Sequence, residues 1–535
     1  MSNKPTPRRT FIKTATAGVG ALVALPESVS AQSQPAAARI SYEVTAFGAK
    51  GDGHTLDSPA INRAIEAAAA AGGGTVTFSA GTYLCYSIHL KSNVALHLAP
   101  GTIIVAADPP TDPSSNPAYD LAESNAPWES YQDFGHNHWH NSLIWGEGLE
   151  NVSITGPGLI WGKGLSRGWG SGPVAEHPGV GNKAIALKNC RNVLLRDFSI
   201  LHGGHFGILA TGVDNLNIDT LKIDTNRDGM DIDCCRNVRV SNCSVNSPWD
   251  DAICLKSSFA LGYARATEMV TISDCVVSGS FEEGTLLDAT YKRFAPDENG
   301  KTKANRTGRI KFGTESNGGF KNITITNCVF DGCWGFALET VDGGLLEDVT
   351  ITNITMRDLA GAPIFLRLGA RMRGPAGVPV GALRRVLISN IVCSNAGSPV
   401  SSIISGIPGH EIEDVKLSNI LIQHQGGQPD TPLQLAEKEK DYPEPSMFGT
   451  TPAHGLFIRH ARGIEINDVE IQSAKDDARP AFVLDDVTRA DFFRVTAPRV
   501  QGKPVIVLNN VKDFGVNRSK SVPDTEIESV EHKEL

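Results

Sequence analysis

The chain has 535 residues, 41% of them hydrophobic and 20% charged, with 54 glycines and a formal net charge of −10. That apolar content permits an ordinary buried core, and the acidic balance without a basic cluster argues against nucleic acid, since nothing stands ready to neutralise phosphates. A polyanionic ligand would need a local basic site set against the global charge.

Residues Pro7-Arg8-Arg9-Thr10-Phe11-Ile12-Lys13 resemble a twin-arginine export signal. A small-residue apolar stretch from Ala15 to Leu25 follows, then Val29-Ser30-Ala31 as a cleavage site. The run is too short to span a bilayer of about 30 Å. The expected organisation is a signal over 1–31, a linker over 32–39, one domain over 40–518 and a frayed polar tail over 519–535. The expected location is the periplasm or the exterior, with no membrane partner. Asp57-Ser58 predicts a helix N-cap, Pro59 suits its first turn, and Ile61, Ile65 and Ala68 share a face before Gly72-Gly73-Gly74 stops it. This helix is the expected cap on an otherwise open core.

A long loop over 107–142 carries His136-Asn137-His138-Trp139-His140. Alternate histidines can share a face and ligate a transition metal, but no Cys or carboxylate partner can be assigned. The loop is expected to rim a cleft, with Trp139 and Tyr131 as sugar-stacking faces or as simple packing. No metal and no cofactor are expected.

From Asn151 a short phrase recurs: Asn151-Val-Ser-Ile-Thr, Asn192-Val-Leu-Leu-Arg, Asn215-Leu-Asn-Ile-Asp and Asn237-Val-Arg-Val-Ser. It returns at Met269, Asn322, Asp348, Arg385, Asp414 and Gly463. The period is roughly 22–30 residues where no loop intervenes, the range of solenoids. Each phrase alternates apolar and polar residues, so one face points inward. A lone strand cannot bury that face, whereas stacked coils make one continuous core. The predicted fold class is therefore all-β, a parallel β-helix and not a sandwich with hairpin turns. Cys190, Cys243, Cys275 and Cys328 each close such a phrase after Asn or Asp, which predicts a buried stacking position, as thiol or disulfide. Cys234 and Cys235 are adjacent and cannot both face the core of one strand. Further loops are expected at 291–307 and 425–452, the latter a solvated excursion with the charged run Glu437–Asp441.

Asn226-Arg227-Asp228-Gly229, followed about one coil later by Asp250-Asp251, sets three carboxylates on stacked rungs. Hydrolysis of a glycosidic bond needs one carboxyl group protonated and another ionised, and crowded acids push each other's pKa values apart. The competing reading is a structural cation site drawing on Asp231 and Asp233. His205, one coil before Asp228, is a candidate for a sugar subsite, while Glu282-Glu283 forms an acid pair that nothing places near the first.

Phe47-Gly48-Ala49-Lys50-Gly51-Asp52-Gly53, Gly72-Gly73-Gly74-Thr75-Val76 and Ala80-Gly81-Thr82-Tyr83 resemble the start of pectate-lyase-like β-helices. The acidic motifs resemble those of the polygalacturonase family, glycoside hydrolase family 28, which carries Asn-Thr-Asp-Gly and then Gly-Asp-Asp. The resemblance implies a right-handed parallel β-helix and metal-free hydrolysis with inversion. It implies that Asp250 is the general acid, that Asp228 and Asp251 hold and deprotonate water, and that Asn226 belongs to the site. Inversion would place acid and base roughly 6.5–9.5 Å apart.

The chain departs from that pattern at Thr307-Gly308-Arg309, where the family has Gly-His-Gly, and at Ala337-Leu338-Glu339, where it has Arg-Ile-Lys. Glu339 thus replaces a cation that grips the sugar carboxylate. Lys256, Arg309, Lys311, Arg367, Arg371 and Arg373 are the candidates to restore it, and Glu315 points to end-on cleavage. The expected partner is a pectic or related plant polysaccharide, bound by a monomer. Alternatives are a hydrolase of rhamnose- or xylose-bearing pectin, a Ca²⁺-dependent lyase and a non-catalytic carbohydrate-binding β-helix.

Overall fold

The structure, a computed structural model, describes residues 41–112, 114–168, 177–294, 306–397 and 399–535. The export signal and linker lie outside the described residues.

Each coil supplies three strands, and each strand pairs in parallel with its counterpart in the next coil. Lys183–Lys188, Phe206–Thr211 and Asp228–Asp233 stack in the first sheet. Arg191–Arg196, Asp214–Asp219 and Arg236–Ser241 stack in the second, and Ser199–Leu201, Lys222–Asp224 and Ser244–Asn246 in the third. Inward residues of the repeated phrase form registered ladders, for example Val193, Leu216 and Val238, all buried. Each contributes on the order of 1.5–3 kcal/mol by leaving water.

The first residue of all ten phrases has a positive φ, between +53° and +72°. Every phrase therefore starts at a left-handed corner, a conformation that Asn tolerates better than most residues. The corner amides stack as well: Asn192 Nδ2 donates to Asn151 Oδ1 at 2.9 Å, Asn215 to Asn192 at 2.9 Å and Asn237 to Asn215 at 2.6 Å. The recurring Asn is thus a turn-and-ladder device, and the alternating residues after it form the second sheet.

The predicted helix spans Ser58–Ala70 and buries Ala60, Ile61, Ala64, Ile65 and Ala68 against the first coils. Asp57 precedes it but does not cap it. Its carboxylate instead accepts the backbone N–H groups of Lys50 at 2.7 Å and Gly51 at 2.9 Å. No helix among the described residues is long and apolar enough to cross a membrane.

Two further expectations are corrected and a third is refined. The polar tail is ordered: Thr525–Glu534 pairs antiparallel with Ile506–Asn517, while Ile527, Val530 and Leu535 pack against the core. Its charged residues alternate outward, which suits an edge strand. The 425–452 segment is only partly solvated: its charged run stays at the surface, but Phe448 packs into an apolar cluster with Phe365, Ile403 and Phe457 on the outer face of the first sheet. Finally, all ten cysteines are buried free thiols. Cys243, Cys275 and Cys328 follow one another through parallel backbone hydrogen bonds, whereas Cys190 lies at another corner with Val213 and Cys235. Cys234, with φ +54°, turns away from that corner and donates to Asp233.

Candidate active site

The outward positions of the first sheet carry the polar groups. Asp228 opens the strand Asp228–Asp233, and Asp250-Asp251 form the turn before Ile253–Ser257 on the next rung. Gly229 N–H donates to Asp251 O at 2.9 Å, which locks the two turns together. A Cβ at Gly229 would meet Ala252 O at 2.5 Å, so only glycine permits this approach. Nearest oxygens of Asp228, Asp250 and Asp251 lie within 4.8 Å of one another. The acids come together because Asp228 and the Asp250-Asp251 turn occupy adjacent rungs, which stand about 4.8 Å apart. A water can therefore touch two carboxylates at once from the cavity side.

The three acids face one cavity of about 290 Å³ and differ in electrostatics. Burial pushes Asp228 well above the usual carboxylate range, reinforced by Asp231 and Asp250. Burial also raises Asp250, against the pull of Arg227, whose Nη2 donates to Asp250 Oδ2 at 2.7 Å. Asp251 goes the other way. Burial pulls it up, but Lys311 and Arg309 outweigh that and hold it below the usual range. Arg309 Nε donates to Asp251 Oδ1 at 2.8 Å, and Lys311 Nζ lies 3.5 Å from Oδ2.

The cation-site alternative finds different partners. Asp233 accepts from Ser258 N–H at 2.8 Å and its hydroxyl at 2.7 Å, and Asp231 lies 3.1 Å from His136 Nε2. The Asp228, Asp250 and Asp251 oxygens are close enough to share a cation. Arg227, Arg309 and Lys311, packed beside them, oppose a divalent charge there.

His136 bridges two buried acids, its other nitrogen 3.0 Å from Glu315 Oε1. Burial would lower its pKa, yet Glu315 and Asp231 raise it to about 9. His138 pairs with Glu129 and His140 with Glu147, so the alternating histidines diverge to separate partners. Trp139 is no sugar platform, being 2% exposed with its Nε1 donating to Thr211. Tyr131 packs edge-on against Phe259.

Of the candidate binding residues, His205, Lys256 and Lys311 line the cavity. His205 Nδ1 donates to Arg167 O at 2.9 Å, and burial holds the ring neutral, which leaves Nε2 as an acceptor. Arg309 stands behind Asp251 and binds Glu444 at 2.8 Å. Glu315 is fully buried beneath the cavity, paired with His136 and with Lys256 at 3.1 Å. Glu339 is also buried, 3.7 Å from Lys311; burial raises it to about 8 and neither oxygen has a hydrogen-bond partner.

The other candidates are committed elsewhere. Asn226 accepts Trp249 N–H through its backbone and does not line the cavity. Arg367 binds Ser405, Gly406 and the carbonyls of Glu437 and Lys438, which pins the 425–452 segment to the solenoid. Arg371 grips Asp342 and donates to Thr314, and Arg373 donates to Asp133. Glu282 accepts from Trp249 Nε1 at 3.2 Å and stays outside the acidic group.

Sequence reasoning missed Arg227, Asp133, Phe134 and Tyr442 as lining residues. Arg227 was legible, since it sits inside the acidic motif. The others arrive on long loops that no local pattern positions.

A rhamnogalacturonase A/epimerase, pectate lyase-like family model matches residues 41–108, and a right handed beta helix region model matches residues 174–299. A probable polygalacturonase from Vitis vinifera is 22% identical over 462 residues, covering 81% of this chain and 86% of that protein. The solved family 28 exopolygalacturonase of Yersinia enterocolitica superposes with a TM-score of 0.62 at 20% identity, covering 86% and 79%. A hyperthermoactive exopolygalacturonase from Thermotoga maritima gives 0.58 at 19%, covering 81% and 92%. At these identities the solved structures establish the fold, a right-handed β-helix.

Proposed function

We infer that the chain is a polygalacturonase-like glycoside hydrolase, built on a right-handed β-helix, that degrades pectin and works through Asp228, Asp250 and Asp251. The observation that carries this reading is the convergence of three acids on one cavity with unequal partners, Asp251 against Arg309 and Lys311, Asp250 against Arg227. Asp250, raised and facing the cavity, is the general acid that protonates the leaving oxygen. Asp251, held ionised by Arg309 and Lys311, is the base that takes the proton of the attacking water. Asp228, pushed towards its neutral form, holds that water by a hydrogen bond.

Cations on the cavity wall favour an acidic sugar even though Glu339 stands where the family keeps a cation. End-on cleavage is supported by the size of the cavity, about 290 Å³ with Asp133, Phe134, His136 and Tyr442 among its lining residues, room for about one or two sugar rings. The relatives named exopolygalacturonases agree with this. The twin-arginine motif supports export to the periplasm or beyond.

The test is product analysis on homogalacturonan, rhamnogalacturonan and xylogalacturonan in excess EDTA. Release of saturated mono- or disaccharide, with little early loss of viscosity, is the expected result. An unsaturated product absorbing in the ultraviolet, or turnover of none of the three, sinks the reading. Proton NMR of the first-formed anomer reports inversion.

A further inference from the structure

Arg227 belongs to the acidic motif itself and points into the cavity, where it pairs with Asp250 at 2.7 Å. Among the cations lining that cavity it is the most accessible, its side chain 18% exposed against 8% for Lys256 and 3% for Lys311. Lys256 lies within 3.8 Å of both Glu315 and Asp231, and Lys311 within 3.7 Å of Asp251, Glu339 and Glu444. An anion drawing either lysine away would break a buried pair, which costs more than breaking one at the mouth. The Arg227–Asp250 pair stands at the mouth, and a planar guanidinium matches a carboxylate better than an ammonium does.

We propose that Arg227 recognises the substrate's carboxylate and exchanges Asp250 for it on binding, so that the acid is released only when an acidic sugar fills the cavity. This rests on the hydrolase reading with Asp250 as acid. The groups facing Asp250 are Arg227, Asp228, Asp251, Lys256 and Lys311. Once Arg227 turns to the ligand, burial and the neighbouring aspartates favour the neutral carboxyl, which takes a proton from solvent. That proton ends on the leaving sugar oxygen as its bond to the anomeric carbon breaks. Water supplies the new C–O bond and its proton passes to Asp251. A neutral sugar leaves Arg227 paired with an ionised Asp250, which then has no proton to donate.

Two measurements test this. In the intact enzyme on oligogalacturonate, the alkaline limb of kcat is expected about one pH unit above that of kcat/KM, because Arg227 has left Asp250 in the complex. Arg227→Gln is expected to close that gap and to raise KM at least tenfold. Independently of turnover, Asp250→Asn is expected to bind D-galacturonate more tightly than the parent in calorimetry, with D-galactose unchanged. That gain is expected to vanish in the Arg227→Gln, Asp250→Asn double variant. An Asp250→Asn enzyme that binds galacturonate no tighter, or a gain that survives removal of Arg227, overturns the proposal. Failure of the parent on every pectic substrate would sink the hydrolase reading while leaving the calorimetric result to judge Arg227.

Discussion

Asp250 and Asp251 are neighbours in the chain, yet their surroundings drive them in opposite directions. Asp251 is held down by Arg309 and Lys311 after burial has pulled it up, while Asp250 is raised chiefly by burial. The sign of the pH dependence follows. Under the proposed mechanism Asp251 works ionised and Asp250 protonated, so kcat/KM is expected to form a bell whose acid limb lies below the ordinary aspartate value of about 3.9. Arg309→Gln removes a cation from Asp251 and is expected to move that limb upward, read from kcat/KM profiles. Asp250→Asn is expected to lower kcat by about 10²–10⁴-fold with an unchanged circular dichroism spectrum. Gly229→Ala is expected to cost activity as severely by a different route, because its Cβ meets Ala252 O and must separate the two acidic turns. A lower melting temperature would accompany that loss, unlike the Asp250 case. Legibility at this scale was uneven. The acids lie in two short motifs one coil apart and could be read directly, and Arg227, overlooked, sits inside the first of them; Glu315, Arg367 and Arg371 looked like binding residues because sequence shows charge but not the partner that absorbs it.

Elements earn their roles through what pins them. The 107–142 loop is clipped to the solenoid by His136, whose ring lies between Asp231 and Glu315. The folded pKa of about 9 stands above the unfolded value of about 6.5. The clip's stability is therefore fully present below about pH 6.5 and is lost as pH rises through about 9. His136→Gln is expected to abolish that part of the decline, read as the difference between the two proteins' urea midpoints across pH 6–10. The corner ladder works at the same scale. Asn215→Ala puts a Cβ-only side chain at φ +57° and breaks two amide links, an expected loss of about 1–2 kcal/mol. Asn215→Gly should lose less, since glycine accepts the angle. The repeated Asn was visible in the sequence as a rhythm. Its cause, a left-handed corner with stacked amides, required the backbone angles.

At the scale of the molecule, the parallel winding was legible because every coil repeats the same alternation, and the capping helix because its apolar face has helical spacing. The far end was not. Thr525–Glu534 carries so few apolar residues that its pairing comes from backbone hydrogen bonds and from Ile527, Val530 and Leu535 folding back on the core. Removing residues 519–535 is expected to bare the edge Ile506–Asn517 and to produce concentration-dependent association, read by light scattering.

That reversed strand also gives the solenoid a direction. Every earlier rung offers its successor a parallel edge, so the winding is a template that could copy itself rung after rung, as a fibre does. Once the chain turns back, the exposed border has the opposite polarity, and a further coil of the same kind finds no matching row of donors and acceptors. Lengthening the molecule by duplicated coils is thus compatible with its interior but not with its final edge.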